Sequence, residues 1–186
     1  MVRRSLALVT LLLTPAAAWA GAWFGESDLY LQAGGVERSA VDAAGEMHAD
    51  DVRLTVRSGA VSGYILGVDA DLHGENGEIT GTIGELPVVL HVAEAFDGTL
   101  AYDGIAGDQR LSGVVSPQAM SATLGPCRAV LGLSGRAYEG MLDCGATGIH
   151  PIALALPSSL SDSTNEEQVS LVLALLFAAR VQTTPS

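Results

Sequence analysis

Four residues with metal-ligand chemistry stand close together in the chain: Asp69, Asp71, His73 and Glu75. Asp69, Asp71 and His73 alternate, so on a strand they share one face, and Gly74-Glu75 follows. Hard carboxylate oxygens in an Asp-x-Asp opening resemble the start of an EF-hand calcium loop, which makes calcium the cofactor they imply. The resemblance then breaks down, because His73 stands where Asp or Asn is required and Thr80 where a bidentate Glu closes such a loop. The same alternation puts Val68, Ala70 and Leu72 on the opposite face, so a solvated polar strand face explains the pattern fully. His48, His91 and His150 fall in separate segments with no HExxH spacing, and no Gly-x-Ser-x-Gly nucleophile elbow is present. The chain has no lysine, which removes Schiff-base, Ser/Lys and phosphate-loop lysine chemistry. Asp97 and Glu139 occupy equivalent positions of a repeated unit, which points to turn chemistry over a catalytic pair.

The two cysteines, Cys127 and Cys144, are the other reactive pair. If Gly135-Arg136 forms a two-residue hairpin turn with glycine first, opposed residues have numbers summing to 271, and Cys127 faces Cys144. The pair then falls at a non-hydrogen-bonded site, within disulfide reach. In that register Arg128 faces Asp143, one face carries Ala129, Leu131, Leu133, Tyr138 and Leu142, and a slip of one residue would lose every pairing. The alternative is two unpaired buried cysteines.

The N-terminus agrees with a disulfide. Arg3 and Arg4 precede an apolar run from Leu6 to Leu13, and Ala18-Trp19-Ala20 supplies a small-x-small cleavage pattern, so residues 1–20 read as a signal peptide. Export to a periplasmic or extracellular space, where disulfides persist, follows. The run is too short to span a bilayer, and the chain is not expected to be an integral membrane protein after cleavage. Trp23 and Phe24, just beyond the cut, read as a tether that tucks into the core.

Residues 21–186 suit a single domain. They hold seven arginines against 21 carboxylates, a formal charge of −14. With no basic stripe, nucleic acid is excluded as a partner, and anionic lipid is not attracted.

The elements that must position these residues are strands. Asp28–Gln32 alternates and reads as an edge strand, and the small, acidic stretch through Asp51 reads as a loop. From Val52 on, a unit recurs of an apolar residue, a small polar or acidic one, glycine, any residue and an apolar one. Copies are Val61–Ile65, Ile79–Ile83, Phe96–Leu100, Leu111–Val115 and Tyr138–Leu142, with Met120–Leu124 carrying alanine for glycine. Thr82-Ile83-Gly84 returns 41 residues later as Thr123-Leu124-Gly125, which suggests duplication. Each glycine leaves a notch on the apolar face, where the sheet can coil or admit a helix. Asn76-Gly77 is a type I′ turn pair. A last strand, Ile152-Leu154-Leu156, is ended by Pro157. Thr164 and Glu167 have capping-box spacing, and Val169 to Ala179 is apolar except for Ser170, so a helix over about 164–180 is expected to be buried.

The expected fold is mainly β: an antiparallel β-meander, a half-barrel or small barrel, with one C-terminal α-helix packed on or in it. A transmembrane barrel fits poorly with short strands and nine aromatic residues. The expected function is a non-catalytic envelope module whose apolar concave face binds an envelope protein or a lipid-like ligand. A calcium- or zinc-dependent module or hydrolase built on Asp69, Asp71, His73 and Glu75 is the alternative.

Overall fold

The computed structural model describes residues 29–183. Residues 1–20, read above as a signal peptide, and Trp23-Phe24 lie outside them. Fourteen strands follow in order: β1 (Leu29–Ala33), β2 (Val36–Ala43), β3 (Glu46–Ala49), β4 (Val52–Arg57), β5 (Ala60–Ile65), β6 (Val68–Glu75) and β7 (Glu78–Ile83). Then come β8 (Leu86–Glu94), β9 (Leu100–Ala106), β10 (Gln109–Val115), β11 (Ala119–Leu124), β12 (Cys127–Ser134), β13 (Ala137–Asp143) and β14 (Ile149–Ala155). Among the described residues one α-helix, α1 (Asn165–Thr183), follows the last strand. Each strand pairs antiparallel with the next, and β1 pairs with β14, so the meander is a closed fourteen-strand barrel. The mainly β antiparallel meander with a C-terminal helix is as expected, and the complete ring, large enough to house that helix, is more specific than the half-barrel or small barrel expected.

Period-two alternation builds the wall. In β4, Val52, Leu54 and Val56 are buried, while Arg53 and Arg57 face solvent; in β6, Val68, Ala70 and Leu72 are buried, and Asp69, Asp71 and His73 are exposed. Two expectations fail near the start. The strand read as an edge is paired on both sides, by β2 and β14. The stretch read as a loop contains β2 and β3. Apolar alternation is missing there because Arg38 and Asp42 occupy inward register positions, opposite Leu31 and Met47, and the only buried apolar side chains of β2 and β3 are Ala40 and Met47.

The glycine notches serve coiling. A Cβ on Gly81 would lie 1.9 Å from the Asp71 carbonyl oxygen of the neighbouring strand, and Gly63, Gly104, Gly113 and Gly140 meet neighbouring carbonyls in the same way. Opposite these glycines stand Leu72, Leu54, Leu90, Tyr102 and Leu131, large side chains that fill the bends. Glycine kinks of this kind let a long sheet curl shut. The Phe96–Leu100 copy is an exception: Asp97 accepts the Thr99 N–H, making a turn between β8 and β9, and Gly104 supplies the notch of β9.

The predicted hairpin register holds throughout β12 and β13, with Arg128 opposite Asp143 and Leu133 opposite Tyr138. The Cys127–Cys144 disulfide is formed.

Helix α1 is the barrel's core. Val169 to Ala179 are buried without a break, so no face of the helix meets water. At 1.5 Å per residue its 19 residues run about 28 Å, enough to cross the lumen from mouth to mouth. Among the described residues no helix is long and apolar enough to cross a membrane.

Candidate functional site

The predicted metal residues lie on the outer wall. His73 Nε2 stands 3.2 Å from Asp71 Oδ1, and both side chains are about two-thirds exposed. Asp69 faces Tyr64, and Glu75 faces Glu78 across the Asn76-Gly77 turn. Asp71 and His73 are thus brought together, but among the described residues no group of three or more His, Cys, Asp or Glu side chains is placed to hold a metal ion. The reason is geometric: on a strand face, successive outward residues are spread along about 7 Å steps, and the neighbouring strands offer Ser62, Thr82, Ala60 and Thr80 as partners.

The apolar concave face is occupied by α1, and both helix ends are fastened to strand turns. At the first mouth, Thr164 and Glu167 form the predicted capping box: the Glu167 N–H donates to Thr164 Oγ1 and the Thr164 N–H to Glu167 Oε2. Glu167 Oε1 also accepts the Gly59 N–H at 2.7 Å, and Glu166 Oε1 accepts the Gly77 N–H at 2.7 Å. Two carboxylates therefore bind two hairpin turns while sitting at the positive end of the helix dipole. Burial pushes the Glu166 carboxyl up, yet the bonds from its own backbone N–H, from Gly77 and from Thr164 overcome that and hold it below the ordinary Glu value. Gly74 makes the approach feasible, since a Cβ there would fall 2.2 Å from the Glu166 Cβ. At the other mouth, Gln182 Nε2 donates to the Leu66 carbonyl and Arg180 Nη1 to Gln109 Oε1. Gly34, at φ +58°, abuts the Gln182 carbonyl so closely that no side chain fits.

A second surface was not anticipated from the sequence. On the outside of β8–β12 a groove of about 550 Å³ is lined by His91, Asp103, Ser112, Thr123 and Arg128, with Ala93, Ala101 and Val114 along one side. These polar residues are successive cross-strand partners, His91 to Asp103 to Ser112 to Thr123 to Arg128. Each strand's alternation was legible; their alignment into one row depended on the register of five strands. The order rules out a hydrolytic triad, because Asp103 lies between Ser112 and His91. The imidazole is then two strands, about 10 Å, from the hydroxyl. Beneath the groove, Tyr102 is 3% exposed and its hydroxyl has no hydrogen-bond partner, and burial pushes its pKa up. Tyr138, by contrast, donates to the Ser116 carbonyl at 3.1 Å, and burial pushes its pKa up to about 12.

Against known family signatures, curated proteins and solved structures, this chain has no match.

Proposed function

We propose that the chain is an exported, non-catalytic structural module that acts through its outer wall and not through its lumen. The observation that carries this reading is the burial of α1 on every side with both ends bonded to strand turns. Each buried Leu, Val or Phe of α1 contributes about 1.5–3 kcal/mol, so vacating the lumen for a lipid-like ligand would cost far more than such a ligand could return. The signal pattern of residues 1–20 and the Cys127–Cys144 disulfide support a periplasmic or extracellular location, with envelope proteins as the partner class. The test is titration of the folded full chain with a fatty acid and with anilinonaphthalene sulfonate at neutral pH. No saturable uptake is expected; stoichiometric, saturable binding of the fatty acid overturns the plugged-barrel reading.

The metal-dependent alternative keeps one specific support, the Asp71–His73 contact. Calorimetric titration with calcium and zinc decides it. No heat and no change in melting temperature remove it, while stoichiometric binding that is lost in Asp71→Asn establishes it.

A further inference from the structure

The turn joining β8 to β9 carries the most exposed large apolar side chain among the described residues, Phe96, which is fully solvent-accessible. It is not a loose tip. The Ala95 N–H donates to the Thr99 carbonyl, the Gly98 N–H to the Ala95 carbonyl, and the Thr99 N–H to Asp97 Oδ1, so three hydrogen bonds present the ring to water. An ordered, exposed aromatic gives up about 150–250 Å² of contact at little entropic cost when covered. Its flanks are acidic: Glu94, whose Oε2 accepts the Asn165 side-chain amide, stands on one side, and Asp97, whose Oδ1 accepts the Thr99 N–H, on the other, each with its second carboxylate oxygen left for a partner.

The groove on the same wall is the complement. Arg128 lines its far side, toward the mouth where α1 ends, and Arg110 stands just beyond it on the outward face of β10, two residues from Ser112; among the described residues neither has an ion-pair partner. Asp143 faces Arg128 across the strand pair but makes no ion pair with it; its Oδ1 accepts the Gly145 N–H. Nineteen of the described residues are carboxylates and seven are arginines, so two unpaired arginines on one wall are unexpected. Between the arginines and the Phe96 turn runs an uncharged row of cross-strand partners: Ala93, Ala101, Val114, Ser121, Val130 and Met141. Val114, Val130 and Met141 are 38%, 51% and 45% exposed.

We propose that two copies of this chain dock through the β8–β13 wall, the Phe96 turn of each seated in the groove of the other. With the barrels side by side and antiparallel, the Phe96 end of one copy lies over the arginine end of its partner. Glu94 and Asp97 then meet Arg110 and Arg128, and the two uncharged rows stack. The contact is isologous, so each interaction occurs twice and the assembly closes as a dimer. One aromatic and one aliphatic row a side sit at the small end of specific interfaces, and both copies are acidic, so the dimer is weak and salt-sensitive. This inference goes beyond the plugged-barrel reading and stands whether or not the lumen takes a ligand.

Sedimentation velocity of the full chain at physiological ionic strength, from about 5 to 500 μM, tests it. A reversible monomer–dimer equilibrium is expected. Phe96→Ser should weaken it at least tenfold without lowering the melting temperature, since the ring touches only solvent in the monomer. Arg128→Glu should weaken it, Arg128→Lys should retain it, and Glu94→Arg combined with Arg128→Glu should restore association. A chain that stays monomeric throughout, a Phe96→Ser variant that dimerises like the parent, or a charge reversal that the second change fails to rescue overturns the proposal. Co-sedimentation of a monomeric parent with phosphatidylcholine vesicles, lost in Phe96→Ser, would overturn it in favour of a lipid surface.

Discussion

Glu167 Oε1 accepts the backbone N–H of Gly59 at 2.7 Å, joining the first turn of α1 to the β4–β5 hairpin across 108 residues of chain. Glu167 is 4% exposed, and its other oxygen accepts the Thr164 N–H. Removing the carboxylate leaves two donors without partners where little water reaches. Glu167→Ala should lower stability by about 1–3 kcal/mol in urea denaturation, and Glu167→Gln by less, since an amide oxygen still accepts one bond. Gly74→Ala should cost a similar ~1–3 kcal/mol by forcing α1 away from β6. Gly132→Ala, where a Cβ would meet open space, should leave the midpoint unchanged.

Glu166 fixes the sign of one part of the acid response. Its folded-state pKa lies below the ordinary 4.5, so its carboxylate stabilises the fold in full at neutral pH and that contribution is lost as pH falls through the lowered value. Melting temperatures followed from pH 7 down to pH 3 should fall less steeply below about pH 5 in Glu166→Gln than in the parent. An identical slope would show that the Gly77 bond contributes nothing.

The two buried tyrosines should respond oppositely to loss of the hydroxyl. Tyr102 holds a buried hydroxyl with no hydrogen-bond partner, packed against Gly113, so Tyr102→Phe removes a desolvation cost and should raise the melting temperature. Tyr138→Phe removes the bond to the Ser116 carbonyl that ties β13 to the β10–β11 turn, and should lower stability by about 0.5–1.5 kcal/mol. Calorimetry of the two variants side by side checks both signs.

Reduction of the Cys127–Cys144 disulfide should destabilise the barrel by about 3 kcal/mol, the chain-entropy value for a loop of this length. Hydrogen exchange should rise first in β12 and β13. Equal melting temperatures for the oxidised and reduced chains would show that the hairpin is held by its ladder alone.

What was legible in the sequence followed from strong local signals. The register of Cys127–Cys144 came from one turn and period-two alternation, and the helix came from a capping box ahead of an apolar run that could not be solvated on any face. The barrel's closure was not legible, because it rests on β1 meeting β14, two strands separated by more than a hundred residues with no signal in either that names the other. β2 and β3 were missed because Arg38 and Asp42 sit on the inward register and erase the alternation. Asp69, Asp71 and His73 were placed on one strand face correctly, but a shared face is not a shared centre, and the cross-strand neighbours that would complete a metal site are hydroxyls and alanine. The groove of His91 to Arg128 needed the register of five strands at once.

The seam between β1 and β14 also dictates when the molecule can exist. Its two partners are the first and the last of the fourteen strands, and the helix that fills the ring follows both, so no hairpin made early in synthesis can complete the enclosure. Every strand must have left the ribosome before the ring can shut around its final segment. Folding therefore ends with its longest-range pairing, a topology that makes assembly slow and leaves the apolar lining of the open ribbon uncovered until the last step.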